Sequence, residues 1–372
     1  MKNYWNKLLF GAALLLPFPA AADVNIAIMT PMSGDYKYFS EELIDGAKIA
    51  VDEINNRGGL QGKKINLIPI DDPCDDALSL SAAQMMALNK SAESRMYMVL
   101  GPYCDNSADK IADLLFKANI LQIHPVSISQ ARYQMPHSSV IRFTGFREEQ
   151  VKELGRFINS HYPQKVLAVV YDGSNPIMSS MVGTIRQEYA KPETNGTLLL
   201  ADYGLPRSTT DSIVKQVTDG QSKLVYIMGN SEKILEFAEK LKSADNDLIL
   251  FAERYQLDKK FTKKIGKLSE NSFLLSMPTL TNNPNFASSL VRLRLWGIEP
   301  KGLMPYGYLS IKMWSDMVKN AKSFHYGKVL KQLDGKNVNT GWNTVIYSKG
   351  VPNKSLPYII YRIQDGEYAQ VY

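Results

Sequence analysis

Cysteine and histidine are scarce in this chain of 372 residues, which carries two of the first, Cys74 and Cys104, and four of the second. His124, His137, His161 and His325 lie far apart, and none stands four residues from another, so paired-histidine metal ligation has little basis and no metal site is expected. The sequence contains no G-x-S-x-G, no G-x-x-x-x-G-K-[ST] and no G-x-G-x-x-G. Those gaps remove the nucleophile elbow, the P-loop and the dinucleotide fingerprint, so neither an enzyme nor a cofactor is expected. Charge of one sign is also in short supply. The net +6 is small, and Lys and Arg alternate with Asp and Glu, as from Asp258 to Lys267, which reads as a solvated face and not as a nucleic-acid patch. After the first 22 residues no apolar run approaches 18, so no membrane span is expected.

Those first 22 residues have their own logic. Lys2 and Lys7 form a basic start, Leu8 to Leu16 an apolar core, and Ala20 to Ala22 a small-residue cleavage site, which together read as a secretory signal peptide. No cysteine stands at the cleavage point, so a soluble exported protein is expected. Removing the segment leaves 350 residues (372 minus 22), more than one core usually serves, and two domains are expected. An exported chain with two cysteines is expected to pair them, and closing that 30-residue loop contributes about 3 to 4 kcal/mol. The other reading is a catalytic thiol, and neither cysteine has a histidine nearby to activate it.

Strand and helix patterns alternate along the chain. Val24 to Met29 reads as a strand; Leu43, Ala47, Ala50, Val51 and Ile54 fall on one helical face; Lys64 to Ile70 and Ala77 to Asn89 repeat the unit. Met96 to Leu100 is a continuous apolar run of strand length, stopped by Gly101-Pro102, and Asp105, Asn106 and Ser107 then offer cap-type side chains before a helix. A strand thus runs into a helix N-terminus, at the carboxyl edge where open α/β sheets bind ligands. Ile120 to Val126 and Val140 to Thr144 complete a first sheet. A second set follows with no Gly/Ser-rich linker: strands at Lys165 to Tyr171, Leu198 to Asp202, Lys223 to Met228, Asp247 to Phe251 and Ser272 to Met277, with helices between them. The expected fold is α/β, two doubly wound lobes with parallel sheets. The tail, helical over Pro284 to Trp296 and Gly307 to Ala321, then strands over Asn343 to Ser348 and Tyr358 to Gln364, is too little for a third domain. It has to return to both lobes, which predicts several crossings and a hinge.

Several motifs together resemble one family, the type I periplasmic solute-binding proteins of the branched-chain amino-acid (leucine/isoleucine/valine) group. They are Met32-Ser33-Gly34, Asp45-Gly46-Ala47 with Asn55 to Gly62, Asp71 to Asp75, Gly101 to Cys104, and Tyr306-Gly307-Tyr308, spread over the whole mature chain. The resemblance implies two lobes joined by three crossings, lobe 1 from Asp23 to Thr144 plus Ser276 to Gly341 and lobe 2 from Gly145 to Leu275 plus Trp342 to Tyr372. It also implies a Cys74 to Cys104 disulfide.

Carried over residue by residue, the family's ligand contacts fall on Phe39 next to Tyr38, on Asp105, on Ile128 beside Ser127 and Ser129, on Pro176, on Asn230 and on Glu253. Tyr103 joins them from its loop position. Phe39 keeps the family's aromatic and Glu253 the acid that pairs with a ligand ammonium, whereas much of the rest of the ligand code differs. Asp105 replaces a serine that helps hold a carboxylate; beside Glu253 it would make the cleft acidic and suit a cationic or neutral polar solute, unless it merely caps its own helix. The acids at Asp71, Asp72, Asp75 and Asp76 read as solvated strand-end residues and not as a cation site. The expected role is a monomeric periplasmic protein that captures a small solute for an inner-membrane ABC permease. A ligand-sensing module of the same fold is the alternative.

Overall fold

The computed structural model describes residues 23–34, 36–91, 93–104, 108–126, 129, 140–142, 144–163, 165–191, 195–253, 263, 266–333, 335–348, 351–352 and 358–372. The first 22 residues, expected to be a signal peptide, lie outside them.

The first sheet has five strands, β1 (Val24–Thr30), β2 (Ile65–Asp71), β3 (Met96–Leu100), β4 (Leu121–His124) and β5 (Val140–Arg142), all parallel, in the order β2-β1-β3-β4-β5. Position in the sheet explains composition. The interior β1, VNIAIMT, is buried along its whole length, whereas the edge strand β2 exposes Asn66, Pro69 and Asp71, and carries Pro69 where an edge tolerates a missing donor. Its helices are α1 (Lys37–Asn56), α2 (Asp76–Leu88) and α3 (Ala108–Lys117).

The second sheet is built by α4 (Arg147–His161), β6 (Val166–Tyr171), α5 (Pro176–Tyr189), β7 (Thr197–Asp202), α6 (Thr210–Asp219), β8 (Leu224–Ile227), α7 (Ser231–Ala244), β9 (Ile249–Glu253) and β10 (Phe273–Ser276). Beyond them come α8 (Ala287–Leu295), α9 (Met304–Ala321), α10 (Tyr326–Leu330), a small antiparallel sheet of β11 (Asn337–Asn339), β12 (Thr344–Ser348) and β13 (Val351–Pro352), and the last hairpin, β14 (Ile359–Gln364) and β15 (Glu367–Gln370). That hairpin adds antiparallel to β10, giving the order β15-β14-β10-β9-β8-β6-β7.

Helix α9 returns to the first lobe and lies directly on α1. A Cβ on Gly46 would sit 1.9 Å from the Met304 carbonyl oxygen, and one on Gly307 would sit 2.1 Å from that of Leu43, so both glycines are required by the contact of the two backbones. The Asp45-Gly46-Ala47 and Tyr306-Gly307-Tyr308 motifs are this crossing. Glu53 lies beside it, its side chain 1% exposed, accepting from the Tyr308 hydroxyl at 2.6 Å and from Arg292 at 2.8 Å, with Lys312 at 3.3 Å and Arg57 at 3.0 Å.

Three crossings join the lobes. The first follows β5 into α4; the second follows β10, because Met277 and Leu280 already lie in the first core. The third needs a correction. Trp342, Val345, Tyr347 and Tyr358 pack in the first core, so the chain enters the second sheet after Tyr358 and not at Trp342; the apolar run at Val345 and Tyr347 covers the first sheet before the chain leaves it. The crossings are tied together: the Tyr358 hydroxyl donates to the Gly145 and Phe146 carbonyls at 3.2 and 3.0 Å, and the hydroxyls of Thr279 and Tyr361 meet at 2.5 Å. These bonds hold three thin strands of chain as one unit, the geometry a hinge needs.

Candidate ligand-binding cleft

Strand order locates the site before any side chain is considered. In the first sheet the order reverses between β1 and β3, in the second between β6 and β8, and crevices open outside the carboxyl ends of strands at such points. A cavity of about 430 Å³ sits there, lined from the first lobe by Tyr36, Cys74, Tyr103 and Cys104 and from the second by Arg147, by residues that follow β6, β7 and β8, and by Glu253 at the end of β9.

On the first wall the disulfide joins Cys74 to Cys104, with the Cα atoms 5.3 Å apart. Gly101 has φ +116°, and a Cβ there would lie 2.3 Å from the Met29 carbonyl oxygen, so the loop after β3 is pressed onto β1. Asp72 anchors it from below. Fully buried, it accepts from the Cys104 amide at 3.0 Å and the Ser79 hydroxyl at 2.5 Å, while Asp71 accepts from the Met32 amide at 2.9 Å. Burial pushes the Asp72 carboxyl above the ordinary aspartate range; its hydrogen bonds to Ser79 and the Cys104, Cys74 and Tyr103 backbone act the other way without cancelling it. Asp72 is therefore a buried brace for the cavity wall, not a solvated strand-end acid. Asp75 is exposed as expected, and it caps α2 by accepting from the Ala77 and Leu78 amides.

The second wall presents two helix starts. Asn175 caps α5, accepting from the Ile177 and Met178 amides at 2.9 and 3.3 Å, and Asn230 caps α7, accepting from the Lys233 amide at 2.9 Å. Asp172 closes the turn between β6 and α5 by accepting from Ser174. Tyr203 donates to the Met228 carbonyl at 3.2 Å, and burial, with Asp172 and Asp202 adding repulsion, raises its hydroxyl to about 12. Met178, Met181 and Met228 supply an adaptable apolar lining. At the end of β9, Glu253 is 5% exposed and Arg147, the first residue of α4, stands 3.8 Å away.

The expected site residues divide three ways. Tyr103, Asn230 and Glu253 line the cavity, with Asn230 spending its side-chain oxygen on the helix cap. Tyr38 and Phe39 do not: Tyr38 is 43% exposed with its ring against Phe39, which leans on the first core, and Tyr36 takes the lining place, its ring 5.8 Å from that of Tyr103. A helix that starts at Lys37 turns those neighbours to different sides. Asp105, Ser127 and Ile128 lie outside the described residues. Pro176 is the first residue of α5, not a lining residue, and the Asn-Pro pair before that helix is the signal that identifies Asn175 as its cap. Arg147, Asp172, Tyr203 and Lys233 were not legible as lining residues. Two basic residues, Arg147 and Lys233, and two acidic ones, Asp172 and Glu253, make the described lining balanced in charge and not acidic. Among the described residues no group of three His, Cys, Asp or Glu side chains could hold a metal ion, and no helix is long and apolar enough to cross a membrane.

Comparison with known proteins agrees with this architecture. The family model for the periplasmic binding proteins matches residues 23–367. An amino acid binding protein of Pseudomonas aeruginosa is 23% identical over 95% of this chain and 93% of its own length, and the Leu/Ile/Val-binding protein of Escherichia coli is 23% identical over 81% of this chain and 73% of its own. The crystal structure of a leucine-binding protein from Thermotoga maritima, 16% identical, superposes with a TM-score of 0.77 over 94% of this chain and 98% of that one. The chain belongs to the type I periplasmic binding proteins, a family of solute-binding proteins and not of enzymes, in the group that includes the Leu/Ile/Val-binding proteins.

Proposed function

We propose that the protein captures a small solute in the cleft between its lobes and delivers it to an ABC permease of the inner membrane. The observation that supports this is the shared cavity: both strand-order reversals open onto it, and both lobes contribute to its lining. A ligand touching both walls stabilises the arrangement in which they approach, and the tied crossings leave that movement as a rotation. The relatives named for leucine, isoleucine and valine support a ligand of amino-acid size, for which a cavity of about 430 Å³ has room. In this reading Tyr36, Tyr103, Tyr203 and the three methionines receive the apolar body, Asn230 and the Arg147–Glu253 pair form the polar end of the cleft, and the first 22 residues direct export to the periplasm. Calorimetry with a panel of amino acids, carboxylates, amines and polyols tests it, together with small-angle scattering. The expected result is stoichiometric binding of one class with a smaller radius of gyration; no binding by any class would remove the reading.

A further inference from the structure

One ion pair decides what kind of solute the cleft can take. Glu253 and Arg147 both line the cavity, 3.8 Å apart, and their side chains are 7% and 19% exposed. The cation, not the anion, is the member the cavity presents. An ammonium seeking Glu253 has to approach a buried carboxylate that already has a guanidinium beside it, and the two cations repel. A carboxylate meets the opposite situation. Arg147 carries a planar guanidinium whose geometry matches two carboxylate oxygens, and the Glu253 charge is offset by the same guanidinium. Tyr226 adds a second observation. Its side chain is fully buried behind the cavity lining within electrostatic reach of both groups, and its hydroxyl has no hydrogen-bond partner among the described residues.

Resting on the solute-binding reading above, we infer that the cleft takes a carboxylate with an apolar or aromatic body and no ammonium group, and that Arg147 is the residue that determines this specificity. The ligand carboxylate lies against Arg147. Its body extends past the methionines of the same wall towards the tilted Tyr36 and Tyr103 rings of the opposite one. Glu253 acts through Arg147, holding the guanidinium in place.

The test compares leucine with 4-methylpentanoate, the same molecule without its amino group, and phenylalanine with 3-phenylpropanoate, by calorimetry on the full mature protein. The deaminated acid of at least one pair is expected to bind at least tenfold tighter than its amino acid. In Arg147→Gln its affinity is expected to fall at least tenfold. Arg147→Gln/Glu253→Gln, which leaves no unpaired carboxylate behind, is expected to show the same loss, and circular dichroism checks that both variants are folded. Amino acids binding tighter than their deaminated partners would overturn the inference, since that is a zwitterion lying across the ion pair. Unchanged affinity for the acid in the double variant would overturn it too. If no acid binds while amines or polyols do, the inference fails and solute capture stands.

Discussion

Ser129 Oγ donates to Glu148 Oε1 at 2.7 Å, and the same carboxylate oxygen accepts from Ser180 Oγ at 2.9 Å. Ser129 lies between β4 and β5 of the first sheet, whereas α4 and α5 pack on the second, so the bond runs between lobes. Ser129 is fully buried and Glu148 nearly so. A bond that opening of the cleft must break weights the equilibrium towards the approached state. Ser129→Ala is expected to weaken ligand binding about fivefold, the equivalent of about 1 kcal/mol for one such bond. Calorimetry of wild type and variant with the same solute checks it, and equal affinities would show that the bond does not distinguish the two states.

The disulfide fastens the loop after β3, which carries Tyr103 and Cys104, to the loop after β2, which carries Cys74. It closes a loop of 30 residues, for which the chain-entropy estimate is about 3 to 4 kcal/mol. Cys74→Ala/Cys104→Ala is expected to lower the unfolding free energy by about that amount in urea titrations. Peptide mapping without reduction should recover the two segments linked in exported material.

Asp72 predicts a dependence on pH with a definite sign. Its carboxyl titrates above the usual aspartate value of 3.8, so between that value and its folded one the native state binds more protons than the unfolded chain. Its contribution is fully present below pH 3.8 and declines as pH rises through the folded value. Asp72→Asn removes the decline, and any cost of the amide is independent of pH. Urea titrations from pH 4 to 7 should therefore show the variant gaining stability relative to wild type as pH rises. A constant difference would contradict the assignment.

Glu53 behaves oppositely. Burial pushes its carboxyl up, but the Tyr308 hydrogen bond and the Lys312 and Arg292 charges outweigh it and leave it below the ordinary value of 4.5. Its stabilisation is present above that value and is lost as pH falls through the lower folded one. Glu53→Gln keeps the shape and leaves Arg57, Arg292 and Lys312 facing one another, all partly solvated. A loss of about 2 kcal/mol at pH 7 is expected, below the range for a fully buried pair because these cations retain water. Thermal and urea unfolding of the variant measure it.

Local chemistry determined the elements of this protein from the sequence alone. The run Met96 to Leu100 is apolar throughout because it is a central parallel strand, and Gly101-Pro102 ends it where the backbone turns over β1. The same is true of the alternating rhythm that announces two lobes, since period and turn residues are properties of neighbours in the chain. Cys74 and Cys104 were legible as a pair because an exported chain with two cysteines is expected to join them. Tertiary structure alone decided the rest. Phe39 and Tyr36 are three residues apart, and only the start of α1 settles which one faces the cleft. Trp342 could join either lobe until its neighbours Val345 and Tyr347 are seen in the first core. Arg147 reads in sequence as an ordinary charge at the start of a helix; it meets Glu253 only because α4 and β9 converge at the edge of one sheet. Electrostatic pairing depends on distance in space, which the order of residues along the chain does not contain.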